Sequence, residues 1–159
     1  MKNADTLIDE TQRAFDDAFR NALAVPEDKV DVSPSSPARS VLQICKELAQ
    51  CPDWATKIIE GSEVGDMDEN AANARQFEDS LVSVEMCQAE CRERLKRFYE
   101  CARNFDDARL GECRWLPFNG GRDHTYTEMF EFPKWNFIYH LGQICYIQTT
   151  YGDFDEHAA

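Results

Sequence analysis

The sequence predicts an all-α protein, an antiparallel four-helix bundle with long connections between helices 1 and 2 and between helices 3 and 4. The first observation is that apolar residues recur every three or four positions in four segments, as they do on the buried face of an amphipathic helix. The second is that strand signals are absent, apart from short apolar runs that fit either kind of element. The third is that polar segments with proline or glycine separate the first two helices and the last two. Amphipathic helices joined in this way bury their apolar faces by packing together.

Helix 1 is expected from about Asp5 to Leu23, where apolar residues alternate with acidic, basic and amide side chains. Pro26 ends it, because proline cannot continue a helix. The segment from Val25 to Pro37 contains three prolines and several serines, which is typical of an extended connection.

Helix 2 is expected to begin at Ser36 and Pro37, because a serine before a proline at the first helical position is a typical start. Pro52 lies inside the helical pattern and is expected to kink or interrupt it. The helix then continues, or starts again, through Trp54–Ile59 up to Gly61.

Helix 3 has the clearest periodicity in the chain. Its apolar seam alternates steps of four and three residues over Phe77, Leu81, Val84, Gln88, Cys91, Leu95, Phe98 and Ala102. The segment Asp106–Asp123 is polar and irregular. The last helix is expected from either Tyr126 or Pro133 to Tyr151, and Gly152 is a natural end.

Length and charge limit the classes of function. The chain has 159 residues, no visible internal boundary and a formal net charge of −13, so we expect one domain over residues 1–159 that does not bind nucleic acid. No stretch approaches the ~20 apolar residues of a membrane helix, so no membrane partner is expected. The first five residues lack a signal-peptide hydrophobic segment, which predicts a cytoplasmic protein.

The seven cysteines are predicted to be reduced, structural thiols. Their number is odd, most lie on apolar helix faces, and no CxxC pair of the zinc or thioredoxin type is present. Cys87 and Cys91 are four residues apart and could share a metal, but no second pair of thiols or histidines lies nearby in the sequence.

The last helix carries a polar stripe on an otherwise apolar segment. Asn136, His140 and Gln143 stand at positions i, i+4 and i+7, so they share one helical face. Two interpretations stay open: a buried hydrogen-bonded network that fixes the bundle, and a metal or substrate site inside it. His124 is expected to be an exposed loop residue, whose loss disturbs stability less than the loss of His140.

The run Tyr139-His140-Leu141-Gly142-Gln143-Ile144 resembles the last-helix signature of the DinB/YfiT-like superfamily. The rest of the chain is consistent with that family, with its first amphipathic helix, proline-containing link and long loop before the last helix. The similarity spans about the whole chain, and its specific core is the short pattern His140-x-Gly142-Gln143.

The resemblance implies a metal site. In that family two histidines four residues apart on the last helix, and a third on helix 2, bind a divalent metal. On this sequence those positions are His140, Asn136 and, counted from Ser40, Glu47. The implied cofactor is nickel, zinc or iron, held by Glu47, Asn136 and His140, with Leu141 where the family has arginine. From the pattern alone, Glu47 fits a solvated surface position equally well.

Two functions follow from the resemblance. The first is a metal-dependent transferase acting with low-molecular-weight thiols, or a hydrolase-like enzyme, in which the metal lowers the pKa of a bound thiol or water. The second is a non-catalytic helical bundle that binds a small ligand or acts in a stress response. In that case the same three residues form a hydrogen-bonded network or a pocket.

The resemblance also implies a homodimer, and the composition of two helices favours it. Helix 1 and the last helix carry more apolar residues than one internal seam can bury. Their second side must therefore meet the long loop, a ligand or another subunit, and a two-fold dimer is the commonest solution.

Overall fold

The computed structural model of the protein describes residues 4–62, 67–155 and 157, and the side chains of all of these except residues 67–71 and 119. The first three residues, which enter the prediction about a signal peptide, lie outside this range. The described residues form five α-helices and one antiparallel hairpin, in the order α1 (Ala4–Ala24), α2 (Val41–Ile59), α3 (Met67–Ser80), α4 (Val84–Asn104), β1 (Cys113–Leu116), β2 (Arg122–Thr125) and α5 (Tyr126–Thr150).

The protein is mostly helical, as predicted, and one apolar core lies among α1, α2, α4 and α5. The largest side chains that are withdrawn from solvent are Phe15, Phe19, Phe98, Phe130, Phe137, Ile44, Leu48, Leu81, Leu95, Leu116, Met129 and Ile144. None of the described helices has both the length and the apolar character that crossing a membrane requires.

The first and last helices lie where the sequence predicts them. Of the two predicted starts of the last helix, Tyr126 is correct and Pro133 lies inside α5. A capping box explains the start: Oγ1 of Thr125 accepts from the backbone N–H of Glu128 at 3.2 Å, and the Glu128 carboxylate accepts from the backbone N–H of Thr125 at 2.8 Å.

The predicted start of helix 2 is wrong. Ser36 and Pro37 lie in the connection, and α2 begins at Val41 after Ser40, whose side chain caps the helix together with Gln43. The serine before a proline is a good start signal, but Ser40, four residues after Ser36, offers the complete two-way capping box.

Pro52 does not interrupt α2. A proline at this position lacks the N–H that would bond to the carbonyl of Leu48, four residues earlier. That carbonyl accepts a hydrogen bond from the thiol of Cys91 in α4 instead, with an Sγ to O distance of 3.3 Å. Packing of α4 on α2 therefore supplies the partner that the helix loses.

The predicted third helix is two helices. The chain leaves the helical path between Ser80 and Val84, where Ser83 takes an extended conformation and its Oγ accepts from the backbone N–H of Met86 at 3.3 Å. The seam is buried in α4 as predicted, at Val84, Cys91, Leu95, Phe98 and Ala102, whereas Gln88 is only half-buried and Cys87 is buried beside it. The count of four helices is therefore wrong for the described residues.

The predicted irregular segment contains the hairpin. β1 and β2 pair with Cys113 opposite Thr125 and Leu116 opposite Arg122. Gly120 and Gly121 both have positive φ, at 93° and 77°, in the turn between the strands. The expectation that the chain has no strands is therefore wrong, because two strands of four residues give no clear alternation.

The hairpin also changes the position of His124. This residue lies in β2 and is 9% exposed, so the prediction of an exposed loop residue is wrong. Its ring contacts Phe132 of α5 edge to face, with centroids 5.3 Å apart. Nδ1 of His124 is buried and has no hydrogen-bond partner among the described residues.

Candidate functional site

Glu47 and His140 meet between α2 and α5. His140 is 1% exposed, and its Nε2 lies 3.1 Å from Oε1 of Glu47. Its Nδ1 lies 2.7 Å from Oε1 of Gln143, one turn further along α5. Each ring nitrogen of His140 therefore has an oxygen atom as its partner. Two of the three residues in the predicted polar stripe therefore bond to each other.

Arg39 is the third polar side chain that meets at this site. It lies just before the helix, and its guanidinium forms an ion pair with Oε2 of Glu47, so the carboxylate has a different partner on each oxygen. The hydrogen bond from His140 lowers the pKa of Glu47 to about 2; partial burial opposes this effect, and Arg39 adds to it. Glu47 is therefore ionised at neutral pH, although 41% of its side chain is exposed.

Asn136 and Cys51 lie one helical turn away from this pair. Cys51 follows Glu47 by four residues on α2, and Asn136 precedes His140 by four residues on α5, so the two pairs of positions face each other. The Asn136 side chain interacts with the thiol of Cys51. Burial nevertheless raises the pKa of Cys51 to about 12, so the thiol stays protonated at neutral pH.

Sequence reasoning misses Arg39 and Cys51. The signal for Cys51 is its i+4 spacing from Glu47 on the buried face of the same helix. Arg39 carries no such signal, since it stands in the connection before α2, outside any helical period. His124 is not part of this site, because it lies on the hairpin against Phe132.

The residues fit a transition metal only in part. Such a metal takes three or four donors, and Glu47 and His140 supply two good ones. The third implied ligand, Asn136, offers an amide oxygen, which is a weak donor for such a metal. Arg39 adds positive charge beside the place a cation would take. Among the described residues, no three His, Cys, Asp or Glu side chains form a group that could hold a metal ion.

An open groove lies beside this pair, between the connection that precedes α2 and the second half of α5. Its volume is about 650 Å³, within the range of small-molecule sites. Tyr139 and Tyr146, two turns apart on α5, line the α5 side together with Gly142 and Gln143. Arg39 is the only charged side chain among the described residues that line it.

A second cavity, of about 570 Å³, lies against the same connection. Arg39 and Gln43 line it together with Glu47 and Glu78, so it combines one cation with two carboxylates. Arg39 lines both spaces and therefore stands between the acidic cavity and the groove.

The sequence matches no protein-family model and no curated protein. The geometry of Arg39, Glu47 and His140, and the groove beside them, therefore carry the functional argument.

Proposed function

We propose that the protein is a DinB-like helical bundle that has no catalytic metal and binds a small organic molecule in the groove along α5. The observation that carries the proposal is the contact between Glu47 and His140, at 3.1 Å from Oε1 to Nε2. Two of the three residues at the family's metal positions bond to each other. Arg39 occupies the second oxygen of Glu47, so the pair is satisfied without a metal.

The surroundings of the pair support a binding function. The hydrogen-bonded network of Arg39, Glu47 and His140 fixes one end of the groove, because each member has a defined partner. The helical wall carries two exposed tyrosine rings separated by Gly142, which has no side chain and leaves space between them. A cleft with a few fixed polar groups and aromatic walls is the usual form of a small-molecule site.

A divalent metal held by Glu47, Asn136 and His140 is the second candidate, in a thiol transferase or hydrolase-like enzyme. One observation favours it: Nδ1 of His140 is anchored by Gln143, which leaves Nε2 turned toward Glu47. Metal-binding histidines are commonly oriented through their other ring nitrogen in this way. Nickel, zinc or iron would act there as a Lewis acid on a bound thiol or water.

The proposal includes the architecture and the assembly that the sequence predicts. α1, α2, α4 and α5 correspond to the four helices of an antiparallel bundle, with α3 and the hairpin as additions between them. The homodimer rests on the exposed side of α5 that carries Trp135 and Ile138, which are 63% and 55% exposed.

A groove-blocking variant tests the binding function. Gly142 lies in α5 with nothing within 4 Å of an added Cβ, so a side chain can start there, and Gly142→Trp places a large ring in the groove. A library of anionic, neutral and cationic fragments is screened by saturation-transfer NMR on the wild-type protein and on this variant. Gly111→Trp is the matched control, since Gly111 also has open space around it and lies outside the groove.

We expect a subset of fragments to bind the wild type and Gly111→Trp but not Gly142→Trp. Thermal unfolding of both variants shows whether the fold is kept. The absence of any fragment binding to the wild type contradicts the proposal, and so does binding that Gly142→Trp leaves unchanged.

A further inference from the structure

We infer that the groove along α5 binds a small aromatic carboxylate. Arg39 binds the carboxylate of this ligand, and Tyr139 and Tyr146 contact its aromatic ring. The inference rests on the proposed small-molecule function and adds the class of ligand.

The charge of the groove is the first argument. The chain has a net charge of −13, yet residues 135–150 contain no Asp, Glu, Lys or Arg. The groove wall formed by α5 is therefore uncharged, and Arg39 is a single cation at its edge. The acidic surface of the protein repels anions elsewhere, whereas Arg39 can attract one negative charge at this edge of the groove.

The availability of Arg39 is the second argument. The contact with Glu47 uses Nη1, and 41% of the Arg39 side chain is exposed. A guanidinium has five N–H groups in a planar fork that matches a carboxylate. Arg39 can therefore bind a ligand carboxylate from the groove side, in competition with Glu47 or together with it.

The shape and the donors of the groove are the third argument. Tyr139 and Tyr146 are 50% and 70% exposed, and Gly142 leaves space between them on the helix. Ile44 and Ile147 also line the groove but are almost completely buried, so the two tyrosine rings supply the exposed aromatic surface, which suits an aromatic ring. Gln143 uses its Oε1 on His140, and its amino group donates to no described residue, so it is a second donor for an anion.

The test compares 2-naphthoate with its neutral analogue 2-naphthamide by isothermal titration calorimetry. Four proteins are used: the wild type, Arg39→Gln, Glu47→Gln and the control Arg97→Gln. Arg97 is a surface arginine paired with Glu60 at 2.6 Å, and it does not line the groove. The wild type should bind 2-naphthoate about tenfold more tightly than 2-naphthamide, which corresponds to one charge-assisted contact.

The three variants separate the contribution of Arg39 to ligand binding from that of its partner Glu47. Arg39→Gln should remove the preference for the acid and keep the weak binding of the amide, and Arg97→Gln should change neither. Glu47→Gln should strengthen the binding of 2-naphthoate several-fold, because it removes the carboxylate that competes for Arg39.

Two results overturn the inference. If both probes bind equally and Arg39→Gln has no effect, the ligand class is wrong while small-molecule binding in the groove survives. If neither probe binds, the aromatic carboxylate is excluded, and the fragment screen with Gly142→Trp decides separately whether the groove binds anything.

Discussion

Nε2 of His140 lies 3.1 Å from Oε1 of Glu47, and this contact joins the buried face of α5 to the partly exposed face of α2. It lowers the pKa of Glu47 from 4.5 to about 2, and Arg39 contributes to the shift. Folding therefore favours the ionised carboxylate. The resulting stability is fully present above the unfolded pKa and is lost as the pH falls through about 2.

Glu47→Gln should therefore destabilise the protein at pH 7 and cease to do so in acid. With allowance for solvent screening of a side chain that is 41% exposed, the expected loss is on the order of 1 kcal/mol. Urea denaturation at pH 7, 4.5, 3 and 2 measures the difference between variant and wild type, which should shrink toward zero below pH 4.5. Glu93→Gln, at an exposed pair with Lys96, is the control. A difference that is constant with pH contradicts the role assigned to the pair.

His124 should matter more than its position in a polar segment suggests. His124→Ala removes a buried ring from Phe132 and should cost about 1–3 kcal/mol. His124→Phe keeps a ring at this position and removes the buried Nδ1, which has no partner in the described part of the chain, so it should be neutral or stabilising at pH 7. Chemical denaturation of both variants checks this order. Equal losses for Ala and Phe would show that the ring contact does not stabilise the hairpin.

The thiol of Cys91 should contribute more to the stability of α2 than another buried thiol does. Cys91→Ala leaves the carbonyl of Leu48 without its partner, whereas Cys87→Ala removes a buried thiol that makes no such contact. We expect Cys91→Ala to cost about 0.5–1.5 kcal/mol more than Cys87→Ala in the free energy of unfolding. Cys91→Ser, which keeps a donor, should recover part of the difference. Identical losses for the two alanine variants argue that Pro52 is tolerated for another reason.

The exposed aromatic side of α5 predicts a homodimer. Trp135 and Ile138 are 63% and 55% exposed, and no charged residue interrupts α5 from residue 135 to residue 150. Sedimentation equilibrium at micromolar concentration should give twice the mass of one chain, and Trp135→Glu should shift the mass toward the monomer. Trp115→Glu, at an exposed tryptophan on the hairpin, should leave it unchanged. A single-chain mass that does not depend on concentration removes this prediction.

The helical part of the fold can be predicted because its signal is local. The seam of α4 and the buried face of α1 repeat with the helical period, and that period can be read from the sequence. The continuity of α2 through Pro52 cannot be predicted in this way, because its compensation comes from Cys91 in another helix. The hairpin cannot be predicted from local periodicity either, because its strands are stabilised by pairing with each other and by the contact between His124 and Phe132.

The candidate site can be predicted in part. The spacing of Asn136, His140 and Gln143 indicates a polar stripe, and the structure joins His140 to Gln143 as a hydrogen-bonded network requires. Glu47 enters only through the family resemblance, since nothing on α2 alone distinguishes it from a surface carboxylate. Arg39 stands eight residues before Glu47 in an extended connection, so only the folded chain brings the two together.

The metal content of the protein tests the central claim most directly. Protein purified without a histidine tag, and without chelator, is analysed by plasma mass spectrometry and then titrated with nickel, zinc and ferrous iron against a chelating indicator. The proposed function predicts far less than one bound metal ion per chain. It also predicts that Glu47→Gln and His140→Ala do not weaken any metal binding that the titration detects. One ion per chain that both substitutions remove would contradict it and would favour the enzyme with a metal at Glu47, Asn136 and His140.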